Sequence, residues 1–345
     1  MKKKILIFGA GSIGNHFTNA SLKKNYEVYV TDIDNSAIKR MKEKIFPLRY
    51  KKWNNKIHLI EYKHIFKSSL YFNFIVVGTP PETHLSLANK IFKSIKFEKI
   101  LIEKPLCSFN QNFTDLQKIN KNNIYCGYNH SVSKSILYFL ELIKNNKKKL
   151  NFLSVSWNEG WDGILKAHFW LKSEYDSYLG NFKRGGGALQ EHSHGLHLTI
   201  LIIELFSKLE KFKITKIINF NKNFNKKSKL SYDNYALIDF FSKKIRSVYN
   251  TDLISNKSNK NAVIIGDNLK IQWIHNYKKS FDAVIYNSGN KKITKLFKKN
   301  RADEFIAELS HIERSNKKNY KFSNIKLDNA IKTVKIIKNC FKDEI

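Results

Sequence analysis

The chain has 345 residues, 42% of them hydrophobic, which excludes a disordered chain and gives enough length for two domains with a sizeable core. Its 62 Lys and Arg against 29 Asp and Glu give a formal net charge of +33, yet 56 of the 62 are Lys and six are Arg. Nucleic-acid readers lean on Arg for bidentate contacts, and here Lys is spread with Asn and Ile through every segment, as in Asn221–Lys229 and Lys291–Asn300. No specific nucleic-acid partner is therefore expected, although the field should attract anionic small molecules.

Cys107, Cys126 and Cys340 are far apart and match no metal or redox spacing, which points to a reducing, cytoplasmic setting. The start, Met1-Lys2-Lys3-Lys4 before an apolar run, imitates a signal peptide, but the run is too short and leads into glycines. The apolar segment Leu196–Phe206 is too short to span a bilayer and is interrupted by Glu204, so no membrane insertion is expected.

In chain order, the first strand candidate is Lys4–Phe8, and it feeds directly into Gly9-Ala10-Gly11-Ser12-Ile13-Gly14. A helical stretch, Asn15–Lys24, and a second strand, Glu27–Thr31, follow and end at Asp32. Strand, G-x-G-x-x-G, helix, strand and an acid about twenty residues on form the dinucleotide-binding fingerprint. Gly9 permits the tight turn, Gly11 lets the backbone approach a pyrophosphate, and Gly14 lets the helix sit close to the strand. The helix then aims its first amides at the phosphates. A carboxylate at Asp32 accepts from the ribose hydroxyls and repels a 2′-phosphate, so NAD is favoured over NADP. Lys39 and Arg40 lie close enough to soften that preference.

Further strands are read at Ile57–Ile60, Phe74–Gly78, Ile100–Glu103 and Ile124–Tyr128, with helices such as Asn35–Lys44 between them. This alternation predicts an α/β Rossmann domain over residues 1–128 with a doubly wound parallel sheet. From residue 129 the character changes. A helix near Val132–Asn145 leads to a strand at Phe152–Trp157, and a helix follows Gly185-Gly186-Gly187. Long β-rich runs come next: Phe212–Phe220, Tyr235–Phe241, Ile245–Asn250, Asn261–Ile274 and Ala283–Asn287. Two helices, Asp303–Ser315 and Leu327–Phe341, close the chain. Residues 129–345 therefore read as an α+β domain on a large, mostly antiparallel sheet, with one face to cover.

Four motifs sit where chemistry is expected. Gly78-Thr79-Pro80-Pro81-Glu82-Thr83-His84, Glu103-Lys104-Pro105 and Gly127-Tyr128-Asn129-His130 each end a strand at the carboxyl edge, where open α/β sheets bind ligands. Gly185–Gly187 with Ala188-Leu189-Gln190-Glu191-His192-Ser193-His194 opens a helix in the second domain. Together these resemble the glucose–fructose oxidoreductase and inositol dehydrogenase family (Gfo/Idh/MocA), over nearly the whole chain. The Gly-Gly-Gly-x-Leu-x-acid segment with Ser193-His194 is similar to that of members acting on sugars for cell-surface polysaccharides.

The resemblance implies roles. Lys104 would sit between nicotinamide and substrate and donate to the reacting oxygen, and the Lys104–Pro105 bond would be cis. Gly9, Gly11, Ser12, Ile13, Gly14 and Asp32 would hold the dinucleotide. Glu103 would bound the nicotinamide pocket, Thr79, Pro80 and His84 would line the cofactor, and Asn129 would lie on the nicotinamide side. Glu191 and His194 would serve the substrate, with His194 the general acid/base. Physics supports that pair separately: residues three apart share a helix face, and a carboxylate beside an imidazole raises its basicity. A homodimer or homotetramer through the open sheet face is also implied.

The expected function is NAD-dependent hydride transfer between nicotinamide and a sugar or sugar derivative, nucleotide-linked sugars included, with Lys104 and His194 handling the proton. Two alternatives stay open: a catalytically weak NAD-binding scaffold, and an NAD-using glycosidase or epimerase without net redox. The chain departs from the family at Glu191, where Asp is usual, and at Ser131, where Arg is usual. Gly195 and His197 stand where an acid pair flanks the histidine. Gly195 inside a helix costs about 1 kcal/mol relative to Ala, so it reads as altered substrate fit or relaxed constraint. No metal site is expected, although Glu191, His194 and His197 are spaced by three.

Overall fold

The computed structural model describes residues 2–114, 116, 123–221, 231–300, 302–315 and 323–342. All but the first residue of the Lys-rich stretch Asn221–Lys229 lies outside them. The chain forms two compact units. The first comprises Met1–Cys107, Gln111–Asn129 and Arg301–Asp328, and the second Ser108–Asn110, His130–Asn300 and Asn329–Ile345.

In the first unit six parallel strands form one sheet: β1 (Lys4–Phe8), β2 (Glu27–Thr31), β3 (Ile57–Leu59), β4 (Tyr71–Val77), β5 (Lys96–Ile102) and β6 (Ile124–Cys126). Their order is β3-β2-β1-β4-β5-β6. Ile5 to Phe8 and Ile100 to Ile102 are almost wholly buried, as strands covered by helices on both faces must be. The covering helices include α1 (Ser12–Lys23), α2 (Asn35–Arg40), α3 (Phe46–Tyr50), α4 (Tyr62–Ile65) and α5 (His84–Ser94). The helix expected over Asn35–Lys44 starts as such, with Asp34 accepting from Ser36 N at 2.8 Å, but continues through a π-helical turn at Met41–Ile45 into α3.

Order reverses between β1 and β4, so a crevice opens outside their carboxyl ends. The register aligns those ends: Phe8 pairs with Thr31 and Val77, Val77 with Ile102, and Ile102 with Cys126. Gly9–Gly14, Asp32, Gly78–Pro80, Glu103–Lys104 and Gly127–Asn129 therefore share one edge.

The second unit is built on eight strands in the order β14-β13-β12-β11-β7-β10-β9-β8. These are β7 (Phe152–Asn158), β8 (Lys213–Asn221), β9 (Tyr232–Phe241), β10 (Arg246–Asp252), β11 (Asn259–Gly266), β12 (Leu269–Lys278), β13 (Phe281–Ser288) and β14 (Lys291–Lys298). All pairs are antiparallel except β7 with β10. Helix α6 (Lys134–Asn146) packs on β12 and β13, and α9 (Ser193–Ile203) on β7 and β10. The shorter α7 (Trp161–Ala167) and α8 (Ala188–Glu191) precede α9. The core beneath them includes Phe139, Ile143, Trp157, Leu196, Ile200, Tyr249 and Trp273. On the opposite face Ile217, Phe241, Ile265 and Leu296 stay exposed.

Three sequence expectations change. The single run Asn261–Ile274 is a hairpin, because the chain reverses at Asp267-Asn268 between β11 and β12. The Lys-rich stretch Lys291–Asn300 contains an ordered strand, β14, whose Phe297 contacts Tyr138 of α6 at 5.7 Å. Finally, α10 (Asp303–Arg314) groups with the first unit rather than the second, because its apolar face meets α1. Phe305 lies edge-on to Phe17 at 5.1 Å and stacks on His16 at 4.8 Å. The last helix, α11 (Leu327–Cys340), brings Ile336 and Ile337 into the core of the second unit.

Candidate active site

The phosphate turn of the first unit is built as its glycines require. Gly9 has φ +102°, and a Cβ there would lie 2.5 Å from Gly78 O, so both conformation and space demand glycine. A Cβ on Gly14 would sit 1.8 Å from Gly9 O, which is how closely α1 rides over the turn. A Cβ on Gly11, by contrast, meets nothing within 4 Å. Open space at Gly11, beside a helix start that no side chain caps, is the cradle a pyrophosphate fits.

Asp32 receives Ala10 N–H at 2.7 Å and Asp34 N–H at 2.9 Å, so β2's end is tied to the turn and its carboxylate is fixed in direction. Ile33 beside it is 79% exposed. Sequence reasoning missed Arg49 of α3, whose Nη1 donates to Ser12 O at 3.1 Å and to Ser12 Oγ at 3.0 Å. That guanidinium adds positive charge where α1's dipole is already positive. Its distance of 37 residues from Ser12 left no local signal.

Along the same edge, Thr79 is half-buried, with its hydroxyl 2.7 Å from that of Thr83, and Pro80 is exposed. His84 does not line a pocket. It is fully buried, with Nε2 2.8 Å from Thr79 O and Nδ1 3.1 Å from Pro105 O, and so staples the Thr79 loop to the loop carrying Lys104. Burial pushes its imidazole down to about 4. Lys104 is half-buried, and the Lys104–Pro105 peptide is cis. Glu103 is buried, and its Oε2 accepts from Lys104 N at 3.1 Å. Asn129 is buried at the end of β6 with Oδ1 lacking a hydrogen-bond partner among the described residues.

In the second unit the glycine run serves the same kind of end. Gly187 has φ +87°, and a Cβ there would meet Asp233 Oδ1 at 1.9 Å. Fully buried Asp233 accepts from Leu189 N at 2.7 Å and so caps α8 from another strand. Burial pushes its carboxyl well up. Gln190, also fully buried, accepts from Phe109 N at 3.1 Å and donates to Phe182 O at 2.6 Å and Gly186 O at 3.0 Å. Its place in the motif is thus structural. The single helix expected over Glu191 and His194 is interrupted at His192, whose ψ is 20°. Glu191 ends α8 and His194 lies in the first turn of α9.

His194 is half-buried in an aromatic cluster. His130 crosses it edge-on at 4.8 Å, and Trp157 stacks beside it at 5.7 Å. His275 lies 5.5 Å from His130 and its Nδ1 is 2.8 Å from Lys299, which pairs with buried Asp282 at 3.1 Å. Trp157 is 1% exposed and stacks on Trp273, so it belongs to the core. His275, Lys299 and Asp282 carried no motif. His197 faces inward, fully buried, and burial pushes it down to about 3, so it stays neutral. Gly195 has a packing reason: a Cβ there would lie 2.6 Å from Tyr249 Cε2 and 2.7 Å from Trp157 Cβ.

Residues 3–126 match the family model described as an oxidoreductase family with an NAD-binding Rossmann fold. The match lies within the first unit and bears out the resemblance to the Gfo/Idh/MocA family there. No curated protein sequence matches the chain. Among solved structures, levoglucosan dehydrogenase in complex with NADH is similar with TM-score 0.74 at 10% identity, covering 99% of this chain and 96% of that one. An inositol dehydrogenase homolog from Azotobacter vinelandii complexed with NAD+ gives TM-score 0.71 at 12% identity, covering 99% and 95%. Aldose-aldose oxidoreductase from Caulobacter crescentus, complexed with glycerol, gives 0.74 at 11%, covering 99% and 97%. At such identities the likeness is one of fold, and it covers the β-rich half as well as the Rossmann unit. No described helix is long and apolar enough to cross a membrane.

Proposed function

We propose that the protein is an NAD-dependent oxidoreductase that moves a hydride between nicotinamide and a CH–OH carbon of a sugar or sugar derivative. The observation that carries this reading is the shared edge of the first unit, where the open cradle at Gly11, the fixed carboxylate of Asp32 and Lys104 stand together. Gly9 to Gly14 and Arg49 would hold the pyrophosphate, and Asp32 the ribose hydroxyls. Asp32 favours NAD, since a 2′-phosphate would meet its charge. Thr79, Pro80, Glu103 and Asn129 would bound the nicotinamide end.

NAD supplies the hydride acceptor or donor; the chain's own residues manage the oxygen. The Lys104 ammonium stabilises negative charge developing on the reacting oxygen. His194 takes or returns the hydroxyl proton, with Glu191 serving the substrate beside it. The positive surface fits an anionic, nucleotide-linked sugar of the kind used in surface-polysaccharide synthesis. Self-association through the exposed apolar residues of the second sheet completes the proposal.

The test is a panel of sugars and nucleotide sugars incubated with NAD+, with NADH formation followed by absorbance. A substrate turned over by the wild type and not by Lys104→Ala or His194→Ala supports the reading. Turnover unaffected by both substitutions refutes the assigned roles.

A further inference from the structure

The segment after the second glycine run bends at a residue that the proposed chemistry leaves unused. His192 lies between Glu191, the last residue of α8, and Ser193, the first of α9, with φ −92° and ψ 20°. It is buried. Its N–H donates to Ala188 O at 2.9 Å, and its O accepts from Gly195 N–H at 3.0 Å and from the Tyr249 hydroxyl at 2.9 Å. A side-chain group bonded to the backbone at such a joint is a known cause of a bend.

The imidazole is held as well. His192 Nδ1 lies 3.0 Å from Thr251 Oγ1. Thr251 has one hydroxyl proton, and it is donated to Trp157 O at 2.7 Å. Toward His192 that oxygen can only accept, which assigns a proton to His192 Nδ1. Tyr249 and Thr251 are two apart on β10, so both point to one face, and both are fully buried. Thr251 stands opposite Trp157 in the parallel pairing of β10 with β7. One buried cross-link thus runs from His192 through Thr251 to the backbone of Trp157, whose indole stacks on His194 at 5.7 Å.

A buried imidazole costs desolvation unless it is bonded, and an apolar residue would fill the place at lower cost. What the histidine adds is the bond to Thr251. In an unbroken helix Glu191 and His194 would share one face by helix geometry alone. The bend hands that relation to β10 and β7.

We propose that His192 is a positioning residue for His194. Its Nδ1–H bond to Thr251 fixes the bend between α8 and α9 and so holds the His194 imidazole against Trp157, in the place from which it handles the substrate proton. Buried as it is, His192 acts only through these neighbours. This rests on the reading that His194 is the acid/base of a hydride-transfer enzyme.

Nitrogen NMR of the full chain with labelled histidine, at pH 8 and without cofactor, tests the bond. The expected spectrum contains a histidine with its proton on Nδ1, which His192→Asn removes and Thr251→Val shifts. A His192 signal with Nδ1 bare overturns the bond. The ring signals of His194, displaced by the Trp157 indole, move in His192→Leu and stay in H192N, whose amide N–H can replace the Nδ1–H. Identical His194 signals in wild type, H192N and H192L overturn the positioning role.

Turnover then tests the consequence. H192N and Thr251→Ser keep donor and acceptor at the bend and turn over like the wild type. H192L and T251V lose the bond and lower kcat by about tenfold to a hundredfold, the range from one lost hydrogen bond to a misplacement of an ångström. NADH affinity stays unchanged in all four, because the dinucleotide turn and Asp32 belong to the other unit. A fall in H192N as large as in H192L overturns the role, since loss of the imidazole rather than of its bond would be responsible. Where H192L does not fold, T251S and T251V decide, and equal kcat in the two overturns the role. If the NMR result is as expected but the wild type binds no NADH, the NAD reading has failed and the role in proton handling falls with it, while the His192–Thr251 bond stands.

Discussion

Gly195→Ala separates helix propensity from packing more cleanly than any other substitution in the second unit. Residue 195 lies inside α9, so on propensity alone Ala would stabilise the helix by about 1 kcal/mol. The new Cβ would, however, lie 2.6 Å from Tyr249 Cε2 and 2.7 Å from Trp157 Cβ. Neither ring can yield cheaply. Tyr249 is fully buried with its hydroxyl donating to His192 O at 2.9 Å, and Trp157 is wedged against Trp273 at 5.8 Å. Overpacking of this kind costs about 1–3 kcal/mol, enough to cancel the propensity gain in most of its range and to exceed it by up to about 2 kcal/mol. For a domain of this size each kcal/mol lowers the melting temperature by about 2–4 °C. Because His194 is the next residue toward the helix start and stacks on Trp157, the same shift should depress turnover. Calorimetric melting and a hydride-transfer assay check both. A G195A protein that melts higher than wild type with full activity would refute the close-approach argument.

Further expectations follow from the site. Lys104→Ala should lower turnover by about 10²- to 10³-fold, the scale of a lost oxyanion donor, with a far smaller effect on NADH affinity in direct titration. Gln190→Leu should cost at least about 3 kcal/mol in denaturant unfolding, because Phe109 N–H and the carbonyls of Phe182 and Gly186 lose their partner in a buried place. His197, ordinarily 6.5, is pushed down to about 3 by burial, so the folded state stays neutral where the unfolded chain takes up a proton. Its contribution is full above about pH 6.5 and is lost as pH falls toward 3. The stability of wild type relative to His197→Leu should drop by about 2 kcal/mol between pH 7 and pH 5, and a pH-independent difference would contradict this. Glu308 of α10, whose carboxyl burial pushes well up, acts with the opposite sign. Held protonated in the fold, it raises stability as pH falls from 7 toward 5, a trend that Glu308→Leu should abolish.

Much of the first unit was legible because its signals are local. The glycines, the preceding strand and Asp32 fall within 35 residues, and each has a distinct steric or electrostatic duty. The carboxyl-edge motifs were legible for the same reason, since a strand end and its next two residues travel together. What was not legible depends on tertiary partners. An amphipathic pattern such as Asp303–Ser315 says which face is buried but not against which sheet, so the return of α10 to the first unit was invisible. The β11–β12 hairpin was hidden because apolar residues recur on both sides of Asp267-Asn268. In β14 the lysines masked a strand whose Phe297 alone reaches the core face. His84 and Gln190 were recognised as motif residues, yet both carbonyl-bonding duties require knowing which loops they bridge. Gly195 carried a propensity cost in sequence, and the reason for it, two aromatic rings on neighbouring strands, exists only in the packed fold. Arg49, His275 and Glu308 bore no motif at all.

The central claim is a dinucleotide site selective for NAD. Calorimetric titration of folded, cofactor-free protein with NADH and NADPH, alongside Asp32→Ala, tests it most directly. The account predicts tight NADH binding, much weaker NADPH binding and loss of the NADH preference in the variant. Failure of the wild type to bind either nucleotide would contradict the oxidoreductase reading.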